Sequence, residues 1–226
     1  THPTPYHLGY VIGPRINAGG RVGKCSHGAN LLLNDNSRKA FQLASELNDF
    51  NKERQLLESH LLNEILQNLK TTKDPVIILF GKDWHEGIIG IIASRIKDKF
   101  NKPTIIITEN NGIGKASARS IVGFDIGSMI IGAAQQGLVI KGGGHKMAGG
   151  FSINLDNIEN FKKFAMKKYL STKILIEEEK KIMIDSTISP TAVNLDFFNK
   201  VNNLAPFGSS NSEPKFTIEN VKTINS

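Results

Sequence analysis

VIILFGKDWHEGIIGIIASRIKDKFNKPTIIIT, residues 76–108, decides the fold. Its two ends, residues 76–80 and 104–108, are short continuous apolar runs, which are typical of buried strands. Between them, residues 87–96 have the apolar content of a buried helix, and the glycines within that segment permit close packing. A strand, a helix and a second strand in this order predict a βαβ unit whose strands are parallel.

A long helix is predicted before this unit. Apolar residues between positions 29 and 69 mostly recur every three or four residues, and no proline interrupts them before Pro75. Asn36 and Ser37 are candidate caps for the start of this helix. A helix of this length usually braces or connects domains. A coiled coil is the less favoured alternative, because the polar segments within the helix break up any continuous apolar seam.

After the βαβ unit the pattern predicts further strands and helices. Asp125 is a candidate cap for a helix through Ala134. The other predicted elements are strands at 115–120, 150–153, 182–185 and 215–221, and helices at 156–170 and 195–204. We therefore predict the α/β class: a long connecting helix, a domain with a mixed or parallel sheet, and an incomplete β-rich segment.

Composition favours an anionic partner and gives no sign of a membrane. The formal net charge is +7 and the pI is about 9.4, a balance that favours nucleic acid, although many basic proteins only have solvated lysine faces. No apolar run approaches the roughly 18 residues that a membrane-spanning helix needs. The single cysteine, Cys25, is compatible with a reducing cytosol, so we expect a cytoplasmic location. The chain opens with Thr1 rather than methionine, which is compatible with a piece of a longer protein.

A glycine-rich segment, KGGGHKMAGG at residues 141–150, is the first candidate site. Because glycine is costly to order and adds no side chain to a core, Gly142, Gly143 and Gly144 indicate either an unusual bend or close approach to a ligand. A loop of bare N–H groups beside His145 would suit a phosphate. A flexible turn is the alternative.

Two other segments offer groups that suit anions. Ser117 and Arg119 share one side of a predicted strand and could hold one phosphate together. The alternative is an edge strand whose polar side chains are simply solvated. Arg15, Asn17 and Arg21 fall in a segment, residues 13–24, that we predict to be a polar surface loop. These side chains could contact phosphate and sugar groups, or the arginines could simply be solvated.

His85 precedes a predicted helix, where it could donate to a phosphate or only cap the helix. Other classes of site fit poorly. The glycine segment matches neither the phosphate loop nor the dinucleotide fingerprint. No His-Glu-x-x-His, paired cysteines or Asp-x-Asp occurs, so the chain alone is a poor candidate for a complete metal site.

These motifs resemble the RecJ family of single-stranded-DNA-specific exonucleases, within the DHH phosphoesterase superfamily. In that order, the segments that carry the resemblance are GPRINAGGR at 13–21, WHEGIIGI at 84–91, SARS at 117–120 and GGGH at 142–145. The segment that begins Pro206-Phe207-Gly208 also resembles the start of the OB-like domain of that family. The resemblance covers nearly the whole chain.

The resemblance implies a division of the chain and a division of labour. Residues 1–28 would end the preceding DHH domain, 29–72 form the connecting helix, 73–171 the DHH-associated substrate-binding domain, and 172–226 the start of the OB-like domain. The family degrades single-stranded DNA from the 5′ end, in recombination and repair. It uses Mn²⁺ or Mg²⁺ held by the DHH domain, so we expect no metal site in this chain alone.

The resemblance also assigns roles to individual residues. Ser117 and Arg119 are expected to contact the DNA phosphate, together with the glycines of the 142–144 segment, and His145 is expected to face the scissile phosphate. The remaining candidates are assigned more loosely to the binding cleft: Arg15, Asn17, Arg21 and His85.

The expected partners are single-stranded DNA and a DHH domain in the same polypeptide or in a separate one, and the expected state is monomeric. We expect the chain alone to bind single-stranded DNA weakly and not to cleave it. Two alternatives remain: a nucleic-acid-binding module without catalysis, and a superfamily phosphodiesterase acting on short oligonucleotides or cyclic dinucleotides. An appended OB-like domain favours long strands over small nucleotides.

Overall fold

The computed structural model describes residues 3–69, 73–178, 182–208 and 210–222. By its internal contacts the chain divides into two compact units, Thr1–Glu179 and Lys180–Ser226. Of the helices in the described ranges, none is both long enough and apolar enough to cross a membrane.

The first unit begins with helices. A π-helical segment, His7–Ile12, is followed by α1 (Gly13–Val22), α2 (Ser26–Leu32) and α3 (Ser37–Asn68). The predicted loop at residues 13–24 is therefore wrong over most of its length. Gly19 in α1 is needed for packing rather than for turning: a Cβ placed at this buried position would lie 3.0 Å from the Lys24 carbonyl oxygen and 3.1 Å from Leu47 of α3. Tertiary packing here overrides the low helix propensity of glycine.

Helix α3 is shorter at its start than the predicted segment, because residues 29–32 belong to α2. The side chain of Asn36 accepts a hydrogen bond from the Lys39 N–H at 3.0 Å, which confirms the predicted cap. Farther along α3, the buried Glu58 pairs with Arg54 of the same helix at 2.6 Å. Glu58 also pairs with Arg95 at 3.0 Å, and this second ion pair ties α3 to the helix beside it.

A five-stranded mixed sheet lies at the centre of the first unit, with strand order β1-β2-β3-β5-β4. Strands β1 and β2 are parallel, as predicted, and every other neighbouring pair is antiparallel. The strands are β1 (Ile77–Gly81), β2 (Thr104–Asn110), β3 (Ile113–Arg119), β4 (Lys141–His145) and β5 (Ala148–Asn154). The helices packed on them are α4 (Glu86–Phe100), α5 (Ile126–Gln135) and α6 (Ile158–Glu178).

The two faces of the sheet are covered differently. On one face, α5 and α6 bury the larger apolar cluster, which includes Ile105, Ile107, Phe151, Ile153 and Phe161. On the other face, α3 and α4 bury a second cluster, but its sheet residues come from β1 and β2. From β3 onward, this second face carries polar side chains, glycine and one alanine instead. The α/β prediction is confirmed, and half of one sheet face is left for a site.

Two helices of this unit compare directly with the sequence predictions. Asp125 caps α5 as predicted, since its side chain accepts from the Ser128 N–H at 2.9 Å. Helix α6 continues past residue 170 to Glu178. The composition change near residue 171 therefore does not end the helix.

The second unit is small. Its described elements are β6 (Ser186–Thr187), a 3₁₀ turn (Pro190–Ala192), α7 (Leu195–Asn202) and β7 (Phe216–Thr217). Strands β6 and β7 are parallel, and the rings of Phe197 and Phe216 pack edge to face with centroids 5.0 Å apart. The predicted strand at 182–185 is wrong, because the strand in this part of the chain is β6. The predicted strand at 215–221 is too long, because β7 contains only two residues.

Candidate nucleic-acid interface

Nine positions on β3, β5 and β4 form the surface that we call the cationic face. Residues directly opposite each other in antiparallel strands point to the same side of a sheet, and so do residues i and i+2 of one strand. Three rows therefore cross the sheet on the α4 side: Arg119–Ala148–His145, Ser117–Gly150–Gly143 and Lys115–Ser152–Lys141. All nine belong to the described residues, and none is acidic.

Helix α4 lies against the edge of this face at Gly90. A Cβ placed there would be 2.9 Å from Ser117 Oγ and 3.0 Å from Arg119 Nη2. Glycine at this position therefore lets the helix approach the two side chains without displacing them. In the sequence, the only signal for this contact is a glycine within an otherwise bulky apolar helix.

Ser117 and Arg119 are on one side of β3, as predicted, and they contact each other. Arg119 Nη1 donates to Ser117 Oγ at 3.2 Å and to the Ala118 carbonyl at 2.8 Å. Burial, and then the nearby positive charge of Arg21, lower the pKa of Arg119 from its ordinary value. The positive charge of Arg21 thus acts on the Arg119 guanidinium, and within the described part of the chain neither arginine forms an ion pair. Two such positive charges are stabilised by an anion.

Arg21 reaches this region because α1 docks on the start of α4. Its Nη1 donates to the Gly87 carbonyl at 2.9 Å. A Cβ at Gly87 would lie 2.2 Å from the Arg21 carbonyl oxygen, so this close approach requires glycine. Of the three candidates in the first motif, the structure brings Arg21 to the cationic face.

The other two candidates of that motif are placed differently. Arg15 is directed to α3, where its Nε donates to Asn48 Oδ1 at 3.1 Å, and its Nη1 donates to the Val11 carbonyl at 2.7 Å. These contacts brace the helices and occupy Nε and Nη1 of the guanidinium. Asn17 is exposed on α1.

The glycine segment is a strand rather than the predicted loop. Gly142, Gly143 and Gly144 lie in β4 and pair with β5, and none of them has a positive φ. Gly142 and Gly144 point away from the cationic face. A Cβ on Gly142 would lie 2.5 Å from the Phe151 Cβ, and one on Gly144 would lie 2.4 Å from the Ala148 carbonyl oxygen. Packing therefore explains these two glycines, and the proposed cradle of loop N–H groups is not formed.

Gly143 is different, because packing does not require it. A Cβ at this position would meet nothing within 4 Å. Gly150, its neighbour across the strands, is more closely packed, since a Cβ there would lie 3.1 Å from the Ala116 carbonyl oxygen. At Gly143 and Gly150 the middle row of the cationic face therefore has a floor without side chains, which a ligand backbone could approach closely.

His145 ends β4 with an exposed side chain. The two-residue turn after it is tied to the rest of the unit, since the Ser120 N–H donates to the Met147 carbonyl at 2.9 Å and the Ile126 N–H to the Lys146 carbonyl at 3.2 Å. These bonds fix the position of His145 in the row that starts at Arg119.

His85 caps α4, which was one of its two predicted roles. Its Nδ1 accepts from the Gly87 N–H at 3.0 Å. In the neutral ring this contact places the proton on Nε2, so the exposed side of the imidazole is a donor. The cap is thus compatible with a further contact to an anion.

The described residues do not fit a divalent metal site. They include no group of three or more His, Cys, Asp and Glu side chains able to hold an ion. Mn²⁺ and Mg²⁺ prefer carboxylate oxygen ligands, and the cationic face has none.

Sequence reasoning assigned no individual role to three polar members of the face: Lys115, Ser152 and Lys141. Lys115 Nζ donates to Ser152 Oγ at 3.2 Å, across β3 and β5. The alternation on β3 already placed Lys115 beside Ser117, but the rows appear only once β5 is known to lie between β3 and β4.

Comparison with family models gives two matches. Residues 73–171 match the DHHA1 domain, and residues 184–226 match the RecJ OB domain. The first of these matches contains the whole sheet with its cationic face.

Curated relatives resemble nearly the whole chain. The single-stranded-DNA-specific exonuclease RecJ of Escherichia coli K12 is 32% identical over 92% of this chain, and that of Haemophilus influenzae is 34% identical over 94%. The chain spans only 38% and 39% of the lengths of these two proteins.

Solved structures give the same result. RecJ from Thermus thermophilus in complex with Mg²⁺ superposes with a TM-score of 0.79 and 27% identity, covering 92% of this chain and 32% of that one. A RecJ bound to manganese has a TM-score of 0.67 and 28% identity, covering 78% of this chain and 44% of that one.

Proposed function

Because this chain belongs to the RecJ family, we propose that it is the strand-holding part of a 5′-to-3′ single-stranded-DNA exonuclease that acts in recombination and repair. The observation that carries the proposal is the cationic face, where Ser117 and Arg119 lie beside a floor formed by Gly143 and Gly150. Its charge suits a phosphate backbone, and its lack of side chains suits close approach by a strand.

Each group has a physical role in holding a strand. Ser117 and Arg119 grip one phosphate, because the guanidinium offers a planar fork of donors and the hydroxyl adds another. Arg21 adds positive charge next to this grip. His145, in the same row as Arg119, faces the scissile phosphate, and His85 presents its Nε2–H from the start of α4. Arg15 supports the site by fixing α1, and Asn17 lies at the cleft margin.

In this proposal the described residues of this chain bind no metal, and another domain supplies the metal chemistry. RecJ structures that resemble it contain Mg²⁺ or Mn²⁺. We propose that a DHH domain, in the same polypeptide or in a separate one, binds such an ion, which would activate water and polarise the phosphate. This chain contributes substrate binding and orientation to that reaction.

The proposal also divides the chain into parts. Residues 1–28 would form the end of the DHH domain, and residues 29–72 the helix that connects it to the next domain. Residues 73–171 would form the substrate-binding domain, and residues 172–226 the start of the OB-like domain. We further propose a monomer located in the cytoplasm.

The test is binding of a 5′-phosphorylated single-stranded oligonucleotide to the 226-residue chain at several salt concentrations. We expect weak binding, no cleavage with Mn²⁺, and a loss of affinity in Arg119→Ala, with a log–log salt slope that is shallower by about 0.7 for the lost phosphate contact. Arg38→Ala, an exposed arginine on α3, is the control that should change neither quantity.

Two results would count against the proposal. An unchanged affinity and salt slope in Arg119→Ala would remove this residue from the binding site. Robust Mn²⁺-dependent cleavage by the purified chain would contradict the assignment of the metals to another domain.

A further inference from the structure

The third row of the cationic face has no part in the function proposed so far. Lys115, Ser152 and Lys141 face the same side as Ser117 and Arg119, one two-residue step beyond the Ser117 row and two such steps beyond the Arg119 row. Two residues along a strand cover about 6.7 Å. This step, from Ser117 to Lys115, is comparable with the distance between neighbouring phosphates of an extended single strand.

The row is partly preorganised. Ser152 is buried, at 6% relative exposure, and its hydroxyl accepts a hydrogen bond from Lys115 Nζ at 3.2 Å. This bond holds one ammonium group over β5, while Lys141 approaches from the exposed edge strand. Neither lysine forms an ion pair within the described ranges, so both positive charges are available to an anion.

The middle row argues against a face that is merely solvated. Solvated strand positions usually carry polar or β-branched side chains, since glycine weakens a strand by about 0.5–1 kcal/mol relative to alanine. Gly143 nevertheless occupies such a position, although a Cβ placed there would have nothing within 4 Å. A strand crossing from Arg119 to Lys115 would pass directly over Gly143 and Gly150.

We propose that Lys115 and Lys141 form a second phosphate subsite, which holds the phosphate next to the one gripped by Ser117 and Arg119. The inference rests on the proposed function, because it takes the ligand to be a nucleic acid strand. Two adjacent subsites would fix the direction and register of the strand as well as its end.

The test compares one phosphate with two. Thymidine 5′-monophosphate and 5′-phosphorylated dithymidylate are titrated into the full chain by NMR chemical-shift perturbation, which measures weak affinities. In the unmodified chain the dinucleotide should bind about tenfold more tightly, the size expected for an added charge-assisted contact. The double variant Lys115→Ala/Lys141→Ala should lose the higher affinity for the dinucleotide and bind the monophosphate as the unmodified chain does. Lys141→Ala alone, on the exposed edge, should reduce the affinity for the dinucleotide without affecting folding.

The controls separate this inference from the proposed function. Lys163→Ala removes the same charge from an exposed position on α6, which covers the opposite face, and should keep the full gain. Equal binding of the two ligands by the unmodified chain, or an equal loss for both ligands in the lysine variants, would overturn the second subsite. If Arg119→Ala left monophosphate binding unchanged, the proposed function itself would fail.

Discussion

Arg119 and His145 stand in one row of the sheet, on the same face, with Ala148 between them. Their Cα atoms are separated by two strand spacings, roughly 9.6 Å. An arginine and a histidine at this separation can both contact a phosphodiester group that lies over the small Ala148 side chain. The pair comes from two antiparallel neighbours of β5, so its geometry depends on the sheet rather than on a flexible loop.

The three consecutive glycines should respond differently to alanine. Gly144→Ala places a Cβ 2.4 Å from a backbone oxygen, and we expect a loss of about 1–3 kcal/mol in the free energy of unfolding. Gly143→Ala meets no neighbouring atom, so stability should stay constant or rise slightly, while binding of single-stranded DNA weakens because the methyl group stands on the floor of the face. Denaturant unfolding and fluorescence anisotropy measure the two effects. Equal destabilisation by both changes would contradict the distinction.

The brace between α3 and α4 gives a prediction about stability alone. Glu58→Gln removes the buried carboxylate that pairs with Arg54, whose side chain is only 12% exposed. It should lower the free energy of unfolding by about 3 kcal/mol, because the charge of Arg54 is left without its partner. Arg95→Ala removes a partner that is 62% exposed, so it should cost less than about 1 kcal/mol. Chemical denaturation of both variants provides the comparison. Similar losses in the two variants would show that the pair with Arg95 dominates.

The elements that the sequence predicted well are those with a local cause. The apolar runs of β1 and β2 and the caps at Asn36 and Asp125 depend on neighbouring residues, and the structure confirms each of them. Ser117 and Arg119 also followed from local alternation along one strand.

The errors have a tertiary cause. Helix α1 was predicted as a loop because Gly19 packs against Leu47 of α3 and Gly87 of α4 packs against the backbone of Arg21, contacts between residues distant in sequence. The glycines of β4 were predicted as a loop for the same reason, since packing against β5 and α5 requires glycine at Gly142 and packing against β5 requires it at Gly144. The Lys115 row could not be predicted at all, because the order β3-β5-β4 is not the order of the chain.

Asp125 leads to a prediction about acid stability. It caps α5, which packs on β4, and the hydrogen bond from the Ser128 backbone lowers its pKa from the ordinary value of 3.8. A lowered pKa in the folded state adds stability above pH 3.8 that is lost as the pH falls through the folded value. Asp125→Ala should cost about 1 kcal/mol near neutral pH. The difference between Asp125 and Asp125→Asn, which keeps the acceptor, should shrink in denaturant unfolding below pH 3.8. A difference that grew in acid would refute this origin of the pKa shift.

His85 has two possible contributions, and substitution can separate them. His85→Ser keeps a good helix cap but removes the long donor, so stability should be retained while affinity for single-stranded DNA falls roughly two- to tenfold, the range of one hydrogen bond. His85→Ala loses the cap as well and should lower the free energy of unfolding by about 1 kcal/mol. Thermal unfolding and anisotropy with a 5′-phosphorylated oligonucleotide distinguish the two variants. Unchanged affinity in His85→Ser would leave His85 as a cap alone, and the strand would then be held by the groups on the sheet and by Arg21.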